Sequence, residues 1–258
     1  MRCWFRSGLC LLLSVALTTI GCEQHTAYSE VKRMGDSVSA REIDAFLAVV
    51  ESLPEHRLPK LTGAVATSPR WNSGRTLPVR ELLHEERKML RTWLTVEAVM
   101  AQLPQPKNLS RVLRRESLTF EQFAGLVVVL GAALNRTAVT NEAMLDTILQ
   151  QGVQPLLALE HDARVFSSLS DEHEFLVLDQ ASWIPAVERA EWLMLVPPEN
   201  IALARKYRER LQAVFPTDFS ADPFAQFSRL LQDEGTPFHE RPESGTDELI
   251  PWTSANRS

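Results

Sequence analysis

A chain of 258 residues, 45% hydrophobic and 23% charged, has the balance of an ordinary globular protein and is long enough to bury a sizeable core, as one large domain or two small ones. Only 2 Tyr and 10 Gly disfavour an all-β design, which draws on aromatic and β-branched strands joined by glycine-rich turns. A formal charge of −6 argues against general binding to the phosphate backbone of nucleic acid.

At the N-terminus, Arg2 and Arg6 form a positive region, Leu9 to Leu17 an apolar run, and Thr18 to Gly21 a small-residue approach to Cys22, which is the outline of a cleavable export signal over residues 1–21. The apolar run is too short to span about 30 Å of hydrocarbon, which takes roughly 20 residues. Cys3, Cys10 and Cys22 are the only cysteines, so the chain beyond them forms no internal disulfide, and Cys22 alone survives cleavage. The stretch Thr19-Ile20-Gly21-Cys22 resembles the lipobox of bacterial lipoproteins, with Thr19 standing where that pattern usually has Leu. The resemblance implies that the Cys22 thiol receives a diacylglycerol and becomes the first mature residue. Glu23, rather than Asp, follows it, which in that family implies no inner-membrane retention in Gram-negative cells and therefore an outer-membrane position facing the periplasm. Ordinary signal cleavage near Gly21, giving a soluble secreted or periplasmic protein, is the alternative. Cleavage removes two arginines and no acid, leaving 27 − 2 = 25 Lys and Arg against 33 acids, a mature charge of −8.

Residues 22–38 show no sustained apolar period and read as a lipidated tether. The domain behind it, 39–235, is predicted to be all-α, an irregular multi-helix bundle. Ser39 and Glu42 have capping-box spacing, and Ile43, Phe46, Leu47, Val50 and Leu53 recur at helical steps up to Pro54. Residues 54–77, with prolines, glycines, Asn72 and Ser73, predict an irregular connection. From Pro78 to Leu103 the pattern predicts one long helix ended by Pro104. A short helix over Ser110–Glu116 follows, and then one capped by Thr119 with Gln122, apolar nearly all round from Phe123 to Leu134. At twelve residues that run suits the centre of a core better than a bilayer. Thr140 predicts a helix through Gln151, kinked or broken at Gly152 and Pro155 before a second half from Pro155 to about Ser168. Further helices are expected from Asp171, over Pro185–Val196, over Pro198–Val214 and from Asp222 to Gly235, followed by a disordered tail, 236–258.

Few residues carry a chemical signature. Glu81-Leu82-Leu83-His84 has the Glu-x-x-His spacing of carboxylate-bridged di-iron bundles, but at 100° per residue both side chains fall opposite the stripe of Val79, Leu82, Leu83 and Leu90 and should face water. Glu86 and Glu97 fall near the middle of that stripe and are expected to be partly buried carboxylates. Such groups must find partners or shift their pKa, which makes them acid or base candidates. Being about 16 Å apart along one helix, they cannot share a substrate atom. Glu160-His161-Asp162 and Asp171-Glu172-His173-Glu174 are rich in ligand types without zinc spacing, so no metal and no cofactor is predicted. Residues 57–115 hold 12 Lys and Arg against 4 Glu. Of these, Lys107, Arg111, Arg114 and Arg115 lack the interleaved aromatics that single-stranded nucleic acid prefers. Asn108, Asn135 and Asn256 head glycosylation acceptor patterns, read as chance beside a bacterial lipobox.

The sequence therefore predicts a lipid-anchored envelope protein acting as a binding or adaptor subunit, with the membrane and an envelope protein as partners. An enzyme with a carboxylate site near Glu86 or Glu97, and a structural spacer, are the rival expectations. Mass spectrometry of the mature chain extracted from membranes should find its first residue to be Cys22 carrying a thioether-linked diacylglycerol. The variant Cys22→Ala should leave the membrane fraction, and an unmodified, freely soluble wild type would contradict lipidation.

Overall fold

A computed structural model describes residues 30–61, 71, 74–93, 95–139 and 141–227. The signal region, Cys22 and the expected tail lie outside them. The chain is all-α, an irregular multi-helix bundle. Its helices are α1 (Ala40–Val50), α2 (Val79–Trp93), α3 (Val96–Gln102), α4 (Leu109–Arg115), α5 (Phe120–Ala138), α6 (Glu142–His161), α7 (Asp171–Ala181), α8 (Trp183–Met194), α9 (Pro198–Lys206) and α10 (Arg208–Val214). Short 3-10 turns cover Pro54–His56, Phe166–Ser168, Thr217–Phe219 and Ala225–Phe227.

Two of the expected starts have the full reciprocal cap. Ser39 accepts from the Glu42 backbone N–H while the Glu42 carboxylate takes the Ser39 N–H at 2.7 Å, and Thr119 and Gln122 do the same for α5. Between them, α4 ends in a left-handed residue, Ser117 (φ 58°), with the Leu118 N–H returning to the Leu113 carbonyl at 2.9 Å and the Ser117 N–H to Arg114 at 3.2 Å. These paired bonds satisfy the last carbonyls of α4 and turn the chain through 79° into α5. Among the described residues no single helix is long and apolar enough to cross a membrane. Instead α5 is buried from Gln122 through Leu134.

The helices enclose two hydrophobic cores. The first gathers α1, α3, α4, α9 and α10 around α5. At its centre the Phe46 ring stacks on Phe123 and on Phe215, each at 5.6 Å between centroids, and Phe215 leans on Phe219 at 5.3 Å. Each such ring pair contributes about 0.5–1.5 kcal/mol beyond its area. The second core gathers α2, α6, α7 and α8 around Leu82, Leu83, Leu145, Ile148 and Phe166. There the first N–H groups of α2 are closed by a distant loop, Val79 N–H to Arg164 O and Arg80 N–H to Asp162 O, both at 3.0 Å.

The structure corrects several expectations. Residues 78–103 form two helices, because Thr95 caps α3 through the Ala98 N–H at 3.3 Å and the chain there passes from the second core to the first. Conversely, α6 runs unbroken through Gly152 and Pro155. Pro155 removes one backbone bond, but Leu145, Ile148, Leu156 and Leu159 are all buried, and Gly152 meets Val187 of α8 so closely that no Cβ would fit. Packing on α8 outweighs the local cost of both residues. The Pro198–Val214 helix is also two, divided at Tyr207, with α9 on α5 and α10 on α1. The helix expected from Asp222 begins as a turn, with the Asp222 carboxylate accepting the Phe224 N–H at 2.9 Å. Its remainder lies outside the described residues.

Residues 30–38, part of the expected tether, are docked as a strap over α5 and α9. Asn200, 1% exposed, accepts the Val38 N–H and donates to the Asp36 carbonyl, each at 2.8 Å. The backbone of Lys32 crosses α5 at Gly125, where an added Cβ would lie 2.6 Å from the Lys32 carbonyl oxygen and 3.0 Å from its nitrogen. Alanine is the better helix former by about 1 kcal/mol, yet two backbones cannot yield cheaply here. Gly125→Ala should therefore lower stability by about 1–3 kcal/mol, read as a fall in the urea midpoint, with earlier proteolysis at residues 30–38. An unchanged or raised midpoint would mean that the strap is not seated on α5.

Candidate functional site: a cleft on the seam between two cores

Of the sequence candidates, Cys22 lies outside the described residues. Glu86 is 4% exposed, on the buried face of α2. Glu97 is exposed in the first turn of α3, which corrects the expectation that it is partly buried. The break at Thr95 restarts the helical register, so a projection carried through from α2 points Glu97 the wrong way. The two carboxylates stand on different helices and form no pair. Glu81 and His84 are exposed.

The acidic-histidine segments are held by local partners. Arg164 grips Asp162 through two guanidinium contacts, 3.0 and 2.7 Å, which hold this carboxyl below its usual range. His161 Nδ1 bonds the Leu157 carbonyl and His173 Nδ1 the Ser170 hydroxyl, both at 2.7 Å. Among the described residues no group of three His, Cys, Asp or Glu is placed to hold a metal ion. Lys107, Arg111, Arg114 and Arg115 are all exposed around α4, with Arg115 on Glu116 at 2.7 Å.

Charge is concentrated instead between α2 and α8. Glu188, 1% exposed, receives the Arg87 guanidinium and two contacts from Arg91, at 2.7 and 3.0 Å, while Glu191 takes both arginines at the rim, at 3.4 and 3.2 Å. Hydrogen bonds to Glu188 raise Arg91 above its ordinary pKa. One face of this network borders an open groove of about 590 Å³ lined by His84, Lys88 and Thr92 as well as the two arginines. Glu188 and Glu191 already neutralise Arg87 and Arg91, so the network acts as a clamp between helices. Glu188→Ala would leave both arginines only the rim carboxylate of Glu191. It should cost about 2–4 kcal/mol, below the fully buried case because Arg91 stays half exposed. Glu188→Gln should cost less, and a urea midpoint equal to wild type would show that the clamp contributes nothing.

The more selective site lies where the two cores meet. A cavity of about 40 Å³ is enclosed between Val99 of α3, Val127, Val128 and Ala132 of α5, and Trp192 and Leu193 of α8. Beside it is a more open cavity of about 120 Å³ reached past Asp218, Asp222 and Gln226. Asn135, Arg189 and Phe219 line both. The Asn135 side-chain oxygen is buried and has no hydrogen-bond partner among the described residues. A buried acceptor left so costs about 1–3 kcal/mol. Arg189 donates to the Pro223 carbonyl at 2.7 Å and lies 5.7 Å from the centre of the Phe227 ring. Burial lowers its pKa to about 10, so it is still a cation at neutral pH. The outer acids are more solvated, with Asp218 3.7 Å from Lys60.

No residue of this cleft stood out in the sequence as a binding group, since Asn135 showed only a tripeptide pattern and Arg189 is one of three charges, with Glu188 and Glu191, on a mostly apolar helix. Comparison with models of protein families, with curated proteins and with solved structures gives no match for this chain.

Proposed function

We propose that this is a lipid-anchored protein of the bacterial envelope that acts by binding, as an adaptor or accessory subunit for another envelope component, with the seam cleft as its recognition site. The lipobox resemblance around Cys22 supports the location, outer membrane facing the periplasm. The observation that carries the binding role is the cleft itself, a mostly apolar cavity whose wall holds a partly buried cation, Arg189, and a buried acceptor, Asn135 Oδ1, with no hydrogen-bond partner among the described residues. Pockets of this kind, mostly apolar with a few convergent polar groups at a junction between packed units, are where small ligands and chain ends are recognised. The docked strap supports a close tie between anchor and domain. If Cys22 carries lipid, at most about 3.5 Å per residue separates it from Glu30, so the cleft stays near the membrane surface. The overall acidity gives no support to a nucleic-acid partner.

The test is purification of the native protein from its own membranes, followed by mass spectrometry of whatever comes with it, beside a variant that fills the inner cavity, Ala132→Leu. At least one small molecule or envelope protein should accompany wild type and be lost from the variant at an unchanged melting temperature. An identical retinue on both proteins would remove the cleft from the recognition site. The enzyme rival has Glu86 as its buried carboxylate, and Glu86→Gln separates the two readings, because a structural carboxylate costs stability whereas an acid or base costs turnover.

A further inference from the structure

Exposed apolar side chains are ordinary on a protein surface and carry meaning only through their place. Met194 and Leu195 stand 51% and 58% exposed where α8 ends. Leu193 before them and Val196 after them are buried, and the backbone is still helical at Leu195 before Pro197 and Pro198 open α9. The pair is therefore held outward on a turn whose flanks are fixed in the core. The strap passes beside this turn. A Cβ built on Gly35 would lie 3.9 Å from the Leu195 carbonyl oxygen, the Ser37 hydroxyl bonds the Glu199 carboxylate, and Asn200 holds both Asp36 and Val38. From Gly35 back to Cys22 the chain spans at most about 45 Å. The carboxylates around the turn are engaged, Glu191 by Arg87 and Arg91, Glu199 by Ser37, and Asp36 by the Arg33 N–H, so what the turn offers a partner is apolar surface.

Resting on the reading of Cys22 as a lipid anchor, we infer that the turn between α8 and α9 is a second membrane contact, with Met194 and Leu195 entering the boundary between headgroups and acyl chains in the leaflet that holds the anchor. Two side chains are too few to hold a protein on a bilayer from solution. A short tether changes that balance, because it makes the second contact intramolecular at an effective concentration of about millimolar or more. The anchor supplies the attachment and the turn supplies the orientation. Leu193 and Met34, next in sequence to Met194 and Gly35, line the inner cavity of the seam, so the docked turn sets that wall of the cleft beside the bilayer.

The test is fluorescence quenching from within the bilayer. On the anchor reading Cys3 and Cys10 leave with the signal and lipid blocks Cys22, so Leu195→Cys presents one free thiol for a bimane label. Phe175→Cys, on α7 of the second core and 59% exposed in wild type, is the reference position. Each mature protein, purified from membranes, is reconstituted into vesicles of phosphatidylethanolamine and phosphatidylglycerol with or without a nitroxide on the acyl chains. The label at position 195 should be quenched at least about twofold more than that at position 175, in low and high salt alike, because the contact is apolar. Adding Met194→Asp should remove most of the difference at an unchanged melting temperature, since the side chain it replaces is half exposed. Equal quenching at the two positions, or a difference that high salt abolishes or Met194→Asp leaves intact, overturns the docking alone. Wild type tests the anchor separately: it should take up no label, and a labelled Cys22 would overturn the location reading and this inference with it.

Discussion

A helix apolar on every face is stable in water only if other elements cover it from all sides, and α5 places that demand on the whole chain. Phe123, Ala133 and Leu134 are fully buried, and the cover is assembled from segments far apart in sequence: α1, α3 and α4 from before it, α9 and α10 from after it, and the strap over Gly125. The aromatic column of Phe123, Phe46, Phe215 and Phe219 shows the same dependence in one line of contacts. None of these covering helices has enough length to be stable alone, since isolated helices under about 12–15 residues are marginal in water. They are helical because α5 gives their apolar stripes something to pack on.

The chain builds its second core by interleaving. α2 belongs with α6, α7 and α8, although α1 and α3, its neighbours in sequence, belong to the first core. The chain therefore crosses between cores at Thr95, and the ion cluster on Glu188 ties α2 to α8 across their interface. Its worth is less in net stability than in position, because a buried carboxylate with two arginines admits few other alignments of the two helices. That same helix, α8, carries Arg189 one residue further on, so the clamp also fixes the outer wall of the seam.

Two neighbouring cavities remain at the seam. Side chains that fill each core with its own partners do not interlock across the junction, and the residual space is lined by both sets. The Asn135 oxygen, a buried acceptor without a hydrogen-bond partner among the described residues, is costly at such a place. Elsewhere buried polar groups such as Asn200 and Glu188 are bonded.

By itself the sequence determined what depends on neighbours along the chain: the all-α class, the caps at Ser39 and Thr119, the buried character of Phe123–Leu134, and the outward direction of Glu81 and His84, all set by propensity and helical period. Where local rules and packing conflict, only the tertiary structure decided. Gly152 and Pro155 did not break α6, because contact with α8 exceeds their local cost, whereas Thr95 did divide a run that looked continuous, because the two halves serve different cores. That division is also why Glu97 faces solvent. The cleft was the least legible part, since Val99, Asn135, Arg189 and Phe219 come from four separate stretches of chain and acquire joint meaning only when two cores meet. Burial and proximity of that kind have no period for a sequence to display.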